Sequence, residues 1–142
     1  MVKILIDTDV ILDFFFDRIP FSENAAKILS LCESKEITGF VTPVIISNVY
    51  YLLRQTAKHE KVIEKLKLLI SITEILVIDK HSIIQALHSE FKDFEDALQN
   101  YSAELNKEID IIITRNTKDY KNSSLSVMTP DNYLKLKISN QK

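Results

Sequence analysis

The 142-residue chain contains one glycine, one cysteine, three prolines and no tryptophan. With Gly39 as its only glycine, the chain cannot build a P-loop or a dinucleotide-binding turn, since both use several glycines to bring backbone close to phosphate. With Cys32 as its only cysteine, it can form no internal disulfide and no cysteine-based metal site. No apolar run approaches the roughly 20 residues of a membrane span, so no membrane partner is expected. The N-terminus runs directly into MVKILID, with a carboxylate at position 7, which does not read as a signal peptide. A cytoplasmic protein is the expectation. Neither charge sign dominates: 18 Lys and Arg face 20 Asp and Glu, for a net charge of -2. Nucleic acid would therefore have to be met by a local basic patch, or through metal ions bound to acids.

What is present is the composition of an ordinary globular chain, 46% hydrophobic and 27% charged, of a size that suits one domain with a single core. Val2 to Ile6 is a short apolar run that ends in Asp7-Thr8-Asp9. It reads as a buried strand delivering an acid to the edge of a sheet. A helix is expected over Val10 to Phe16, ended by Arg18-Ile19-Pro20. A second is expected from Glu23 to about Ser34, capped by Ser22, with Ala26, Ile28, Leu29 and Cys32 inward. Ile37 to Val41 reads as a strand. Thr42-Pro43 reads as an N-cap with proline at the first helical position, opening a helix that ends near Lys58 with Ile45, Val49, Leu52 and Leu53 buried. An amphipathic segment runs from Lys61 to about Ile70, and Glu74 to Ile78 is the third strand. Asp79 or Ser82 starts a helix through His88. Phe94, Ala97, Leu98, Tyr101 and Leu105 recur at helical spacing, which predicts a helix from Phe94 to Lys107. Asp110 to Thr114 is a nearly continuous apolar strand of the kind buried on both faces, and Ser126 to Met128 is a last short one. Thr129-Pro130 caps a final helix toward Ile138, with a frayed end beyond it. Alternation of strand and helix implies a three-layer α/β/α sandwich around a short, mostly parallel sheet.

Carboxylates collect after the strands. Asp7 and Asp9 follow the first and Asp79 the third. Asp119 lies just beyond the fourth, and Asp93 and Asp96 share one face of the Phe94 helix. Asp110 begins its strand and so lies at the opposite edge. Taken singly, each acid has an ordinary role as a helix cap or a first-turn acid. Taken together, acids converging on one crevice repel unless a cation sits among them. Oxygen ligands suit Mg2+ or Mn2+, and such ions support hydrolysis of phosphodiesters.

The segments IDTDVILDFF, TPVIISNVYYLL, DFEDALQ and IIITRNTKDY, taken in order, resemble the PIN domain, the Mg2+-dependent ribonuclease fold of bacterial VapC-like toxins. The resemblance spans nearly the whole chain. It implies a metal-dependent endoribonuclease leaving a 5′-phosphate and a 3′-hydroxyl, with Asp7, Asp96 and Asp119 as metal-binding acids. Asn116 is a neighbouring polar position, and Thr114 matches the hydroxyl that orients a ligand or water. Asp9 falls where relatives usually have Asn and ranks second. The resemblance also implies an RNA substrate, a homodimer, and an antitoxin that inserts a segment into the acidic cleft.

The departure is at Asn48, where the family usually carries Glu or Asp. Its position near the apolar face points it into the fold, either as a neutral metal ligand or as a buried amide paired with backbone. Basic residues available for RNA are Arg54, Lys58, His59, Lys61, Lys65 and Lys67 in the middle helices, and Arg115, Lys118 and Lys121 at the last motif. Two other readings stand beside the nuclease. One is a weakened PIN-like module that binds RNA or protein without cutting. The other is a haloacid-dehalogenase-like phosphatase with Asp7 as nucleophile and Asp9 as acid/base.

Overall fold

A computed structural model describes residues 1–106 and 109–140. Strands β1 (Lys3–Ile6), β2 (Thr38–Val41), β3 (Glu74–Ile75), β4 (Ile111–Ile113) and β5 (Ser126–Met128) form one sheet of order β3-β2-β1-β4-β5. Every pairing is parallel, so the sheet is wholly rather than mostly parallel. The helices are α1 (Thr8–Phe15), α2 (Ser22–Glu33), α3 (Pro43–Leu53), α4 (His59–Ile72), α5 (Lys80–Leu87), α6 (Phe94–Asn106) and α7 (Pro130–Asn140). Helix α1 packs on α2 and α3, while α4 and α7 join that group and α5 packs on α6. The result is the expected α/β/α sandwich.

The chain runs β1 to β2 to β3 toward one edge, then returns past β1 to place β4 and β5 on the other side. Right-handed crossovers put the helices of a reversed direction on the opposite face of the sheet. The reversal lies between β1 and β4, and in open parallel sheets the crevice at such a switch point, beyond the strands' C-terminal ends, is where ligands bind. Asp7 and Thr114 are the residues that leave those two strands.

Ile4, Leu5 and Ile6 of β1 are buried together with Ile112 and Ile113 of β4. Each such side chain contributes roughly 1.5–3 kcal/mol on burial. Gly39 explains itself here. A Cβ on it would stand 2.5 Å from Cys32 Sγ and 3.1 Å from Ile6 Cδ1, so the bare backbone lets α2 seat directly on β2.

Several local expectations shift. Helix α2 begins at Ser22, and its N-cap is Phe21 with no side-chain cap bond; Ala25, rather than Ala26, joins Ile28, Leu29 and Cys32 in the core. Helix α3 stops at Leu53, with Arg54 as its C-cap and the Arg54 guanidinium donating to the Ala57 carbonyl at 3.0 Å. Strand β3 is only two residues long and pairs on one side, as an edge strand does. Phe94 and Leu105 are exposed, so the buried face of α6 is Ala97, Leu98, Ser102 and Ala103, with Gln99 and Asn100 among them. The expected end of that helix at Lys107 lies outside the described residues; α7 runs to Asn140, past the expected end near Ile138. The caps at Thr42, Asp79 and Thr129 are present, accepting from the backbone N–H of Ile45 (3.0 Å), Ser82 (2.9 Å) and Asn132 (3.1 Å).

Candidate active site

Beyond the ends of β1 and β4 lies a cleft of about 390 Å³. Asp7, Asp9, Asn48, Asp96, Asn116 and Asp119 all line it, together with Asp93, Glu95 and Gln99. Among the described residues that line it, Arg18 is the one cationic side chain. Sequence positions more than a hundred residues apart therefore meet at one place.

Asp7 sits at the centre because β1 ends on it and α1 begins after it, its carboxylate accepting from the Thr8 N–H at 2.8 Å. The buried Thr114 hydroxyl donates to Asp7 Oδ2 at 2.9 Å and stands 3.3 Å from Asp9 Oδ2. It has one proton, and the shorter contact takes it. Gln99 Nε2 reaches Asp7 Oδ1 at 3.4 Å. The Tyr120 hydroxyl lies 3.3 Å from Asp7 Oδ2 and 3.2 Å from Asp96 Oδ1. One phenolic proton cannot serve both carboxylates at once, so one of the two is favoured in its protonated form.

Electrostatics follow from that crowding. Burial raises the Asp7 carboxyl above its ordinary value, against the lowering effect of its hydrogen bonds from Thr114, Thr8, Gln99 and Tyr120. Burial, with the charges of Asp7, Asp93 and Asp119, pushes Asp96 up to about 7. Burial and the Asp7 charge push Asp9 up to about 6. Burial also raises the Tyr120 hydroxyl, with the Asp7 and Asp96 charges adding to it. Like charges held in a desolvated crevice resist ionisation, and a bound cation relieves that.

Asp9, second in rank by sequence, is firmly fixed. Its Oδ2 accepts from Arg115 N and Asn116 Nδ2, both at 3.1 Å, while its Oδ1 is buried with no partner. Asp93 caps α6 by accepting from the Asp96 N–H at 2.9 Å. Asp119, exposed at the cleft rim, sits in a 3-10 turn from Thr117 to Tyr120. Asp79 and Asp110 are elsewhere. Asp79 caps α5, with its carboxyl held low by bonds from Ser82, and Asp110 accepts from the Lys3 N–H at the opposite edge, as expected.

Asn48 is half-buried and faces the cleft, and its amide donates to Glu95 Oε2 at 2.8 Å. Of its expected roles, a buried amide paired with backbone is not the one the structure shows. Arg115 does not face the cleft for RNA. It makes a double contact with the buried Asp13, Nε to Oδ2 at 2.6 Å and an Nη to Oδ1 at 3.0 Å, and stacks over Phe21. The middle-helix cluster does not line the cleft either: Lys65 lies over the Phe15 ring and His59 pairs with the Tyr50 hydroxyl. Lys118 and Lys121 line an adjoining groove with Lys92, and that groove shares Asp93, Asp96 and Asp119 with the cleft.

The sequence assigns no site role to Gln99, Tyr120 or Asp13, nor to Glu95, although Glu95 stands among the acids that open the Phe94 helix. Gln99 lies three after Asp96, hence on its face of the helix and outside the apolar stripe. Tyr120 directly follows Asp119, and Glu95 directly precedes Asp96. Asp13 lies four after Asp9 on α1, and nothing in its spacing marks it as buried.

The donor set suits a hard divalent cation. Asp9 Oδ1 and Gln99 Oε1, both buried acceptors without a partner, line the same cleft as the carboxylates, and oxygen donors of this kind are what Mg2+ and Mn2+ take. Among the described residues no three His, Cys, Asp or Glu side chains already stand close enough to hold a metal by themselves.

A family model described as PIN domain matches residues 3–118. No curated protein matches the chain. Among solved structures, VapBC2 from Rickettsia felis bound to a DNA fragment from its promoter superposes with a TM-score of 0.67 at 16% identity, over 89% of this chain and 97% of that one. A toxin-antitoxin complex from Klebsiella pneumoniae gives 0.64 at 23% identity, over 89% and 96%. The sarcin-ricin-loop-cleaving toxin VapC20 of Mycobacterium tuberculosis gives 0.59 at 16% identity, over 77% and 86%. At these identities the likeness is one of fold.

Proposed function

Because the chain belongs to the PIN domain family, we propose that it is a Mg2+- or Mn2+-dependent endoribonuclease working in the acidic cleft. The observation that carries this reading is the Asp7 network. An acid at the sheet's switch point is oriented by Thr114 and Gln99 and tied through Tyr120 to Asp96. Asp7, Asp96 and Asp119 would hold the ion, with Asn48 and Asn116 as neutral neighbours. A divalent cation there supplies Lewis acidity and a water activated near neutral pH.

The chain's own groups supply the rest. Thr114 and Gln99 hold Asp7 in one orientation, which preserves the geometry of an in-line displacement. The last motif fixes Asp9, through the Arg115 and Asn116 N–H groups. Lys92, Lys118 and Lys121 flank the acids, where they would contact successive phosphates without reading bases. Affinity should then fall as salt rises. An acidic cleft that would hold a divalent cation, continuous with a groove of mixed charge carrying three lysines, fits a polyanionic substrate.

The toxin of a toxin-antitoxin pair is the biological role this supports, with an antitoxin partner, a homodimer and a cytoplasmic setting. The Klebsiella pneumoniae relative is itself a toxin-antitoxin complex. No helix among the described residues is long and apolar enough to cross a membrane. One observation favours a second reading, a weakened module that binds RNA or protein without cutting: Asn48 brings no charge to α3. Family membership leaves the phosphatase reading without support. Single-stranded RNA incubated with Mg2+ or Mn2+ separates the two that remain. Cleavage by the unaltered protein and none by Asp7→Asn is the expected result. Equal behaviour of the two sinks the enzyme reading and favours the binding module.

A further inference from the structure

Asn48 and Glu95 look like two separate irregularities in the sequence, an amide where the family has an acid and an acid beside the one the family uses. The structure joins them. Asn48 Nδ2 on α3 donates to Glu95 Oε2 on α6 at 2.8 Å, across the mouth of the cleft that both residues line. Consecutive helical residues project about 100° apart, so Glu95 reaches toward α3 while its neighbour Asp96 reaches Tyr120. An exposed glutamate gains little stability from one amide bond and loses rotamer freedom when held. A fixed carboxylate here therefore calls for a reason other than stability.

A second observation points the same way. Gln99 is 2% exposed and commits its amide N–H to Asp7 Oδ1 and the Tyr120 hydroxyl, leaving Oε1 without a partner. Ionised carboxylates cannot satisfy this lone acceptor, and a bound cation, through a water on it, suits it.

We propose that Glu95 supplies from α6 the negative charge that Asn48 does not supply from α3. Asn48 is then the positioning residue that holds the Glu95 carboxylate over the cleft. The cation-binding set of this chain is Asp7, Asp96, Asp119 and Glu95, with acid and amide exchanged across the α3–α6 contact. The assignment rests on the metal-dependent reading above, and it makes Asn48 a working part of the site.

Mn2+ titration by calorimetry on the whole chain tests it, with melting in EDTA as a check on folding. Glu95→Gln should weaken Mn2+ binding about tenfold or more, the range typical of groups that tune a metal site, without lowering the melting temperature. Asn48→Ala should weaken it less, because the glutamate remains but is no longer held. The exchange variant Asn48→Glu with Glu95→Gln should recover most of the loss. Unchanged affinity in Glu95→Gln overturns the proposal, as does an exchange variant that binds no better than Glu95→Gln, or an unaltered protein that binds no Mn2+. RNA cleavage is scored separately. Glu95-dependent Mn2+ binding without cleavage would remove the nuclease reading and leave this assignment standing, and cleavage with Glu95-independent binding would do the reverse.

Discussion

In the metal-free protein, stability should fall as pH rises from 5 to 8. Asp9 and Asp96 have folded-state values pushed up to about 6 and about 7, from the ordinary 3.8. The native state therefore binds more protons than the unfolded chain over that interval. Stability is highest where both carboxyls are protonated in the fold and is lost as pH climbs through the raised values. For Asp9, about 1.4 kcal/mol per pH unit of displacement, integrated from pH 5 to 8, comes to roughly 1.4 kcal/mol. Asp96 would give about twice that, but it is half open to water, and we discount it by half for solvent screening. Together they make about 3 kcal/mol, or a fall of roughly 6–12 °C in melting temperature for a chain of this length. Asp7 moves in the same direction. Cys32, pushed to about 11 by burial, titrates above the window. Circular-dichroism melts in EDTA at pH 5, 6, 7 and 8 provide the measurement. Asp9→Asn should flatten the dependence by about its own share and melt higher than the unaltered protein at pH 8. Adding Mn2+ should reverse the slope, because the ion binds the ionised carboxylates. A melting temperature that is flat or rises with pH in EDTA would refute the view that this cleft confines mutually repelling acids.

Two further perturbations probe the scaffold. Gly39→Ala places a Cβ 2.5 Å from Cys32 Sγ; overpacking of this kind costs about 1–3 kcal/mol. Urea denaturation should show it, and Cys32→Ala in the same chain should recover part of the loss. Arg115→Ala leaves Asp13, which is 1% exposed, with only Arg18 at 3.4 Å. Removing one partner of a buried pair typically costs 3–5 kcal/mol, and partial exposure of Arg115 puts the expected urea-melt loss near the lower figure. A loss under about 1 kcal/mol would mark the pair as a surface interaction.

The chain's local chemistry was enough to place the scaffold. An apolar run ended by an acid marked β1, a nearly continuous apolar run ending at Thr114 marked β4, Thr42-Pro43 marked the start of α3, and the alternation of strand and helix required a parallel sheet. Because parallel strands share one C-terminal edge, that pattern also brings Asp7 and Thr114 to the same side. Tertiary structure decided which polar groups face one another. Helical periodicity assigns a residue to a face but does not say what packs against that face. Gln99 and Asn100 therefore stood outside the expected buried stripe, and Phe94 and Leu105 passed for core. Nothing local pairs Asp13 with Arg115, roughly a hundred residues away, so a cation counted for RNA turned out to neutralise a buried acid. The same holds for Asn48. Along the chain it is an acid lost from α3, and in the fold it is an amide holding Glu95 at the cleft. A charge-bearing site depends on distances between helices, and those distances are fixed only when the sheet assembles.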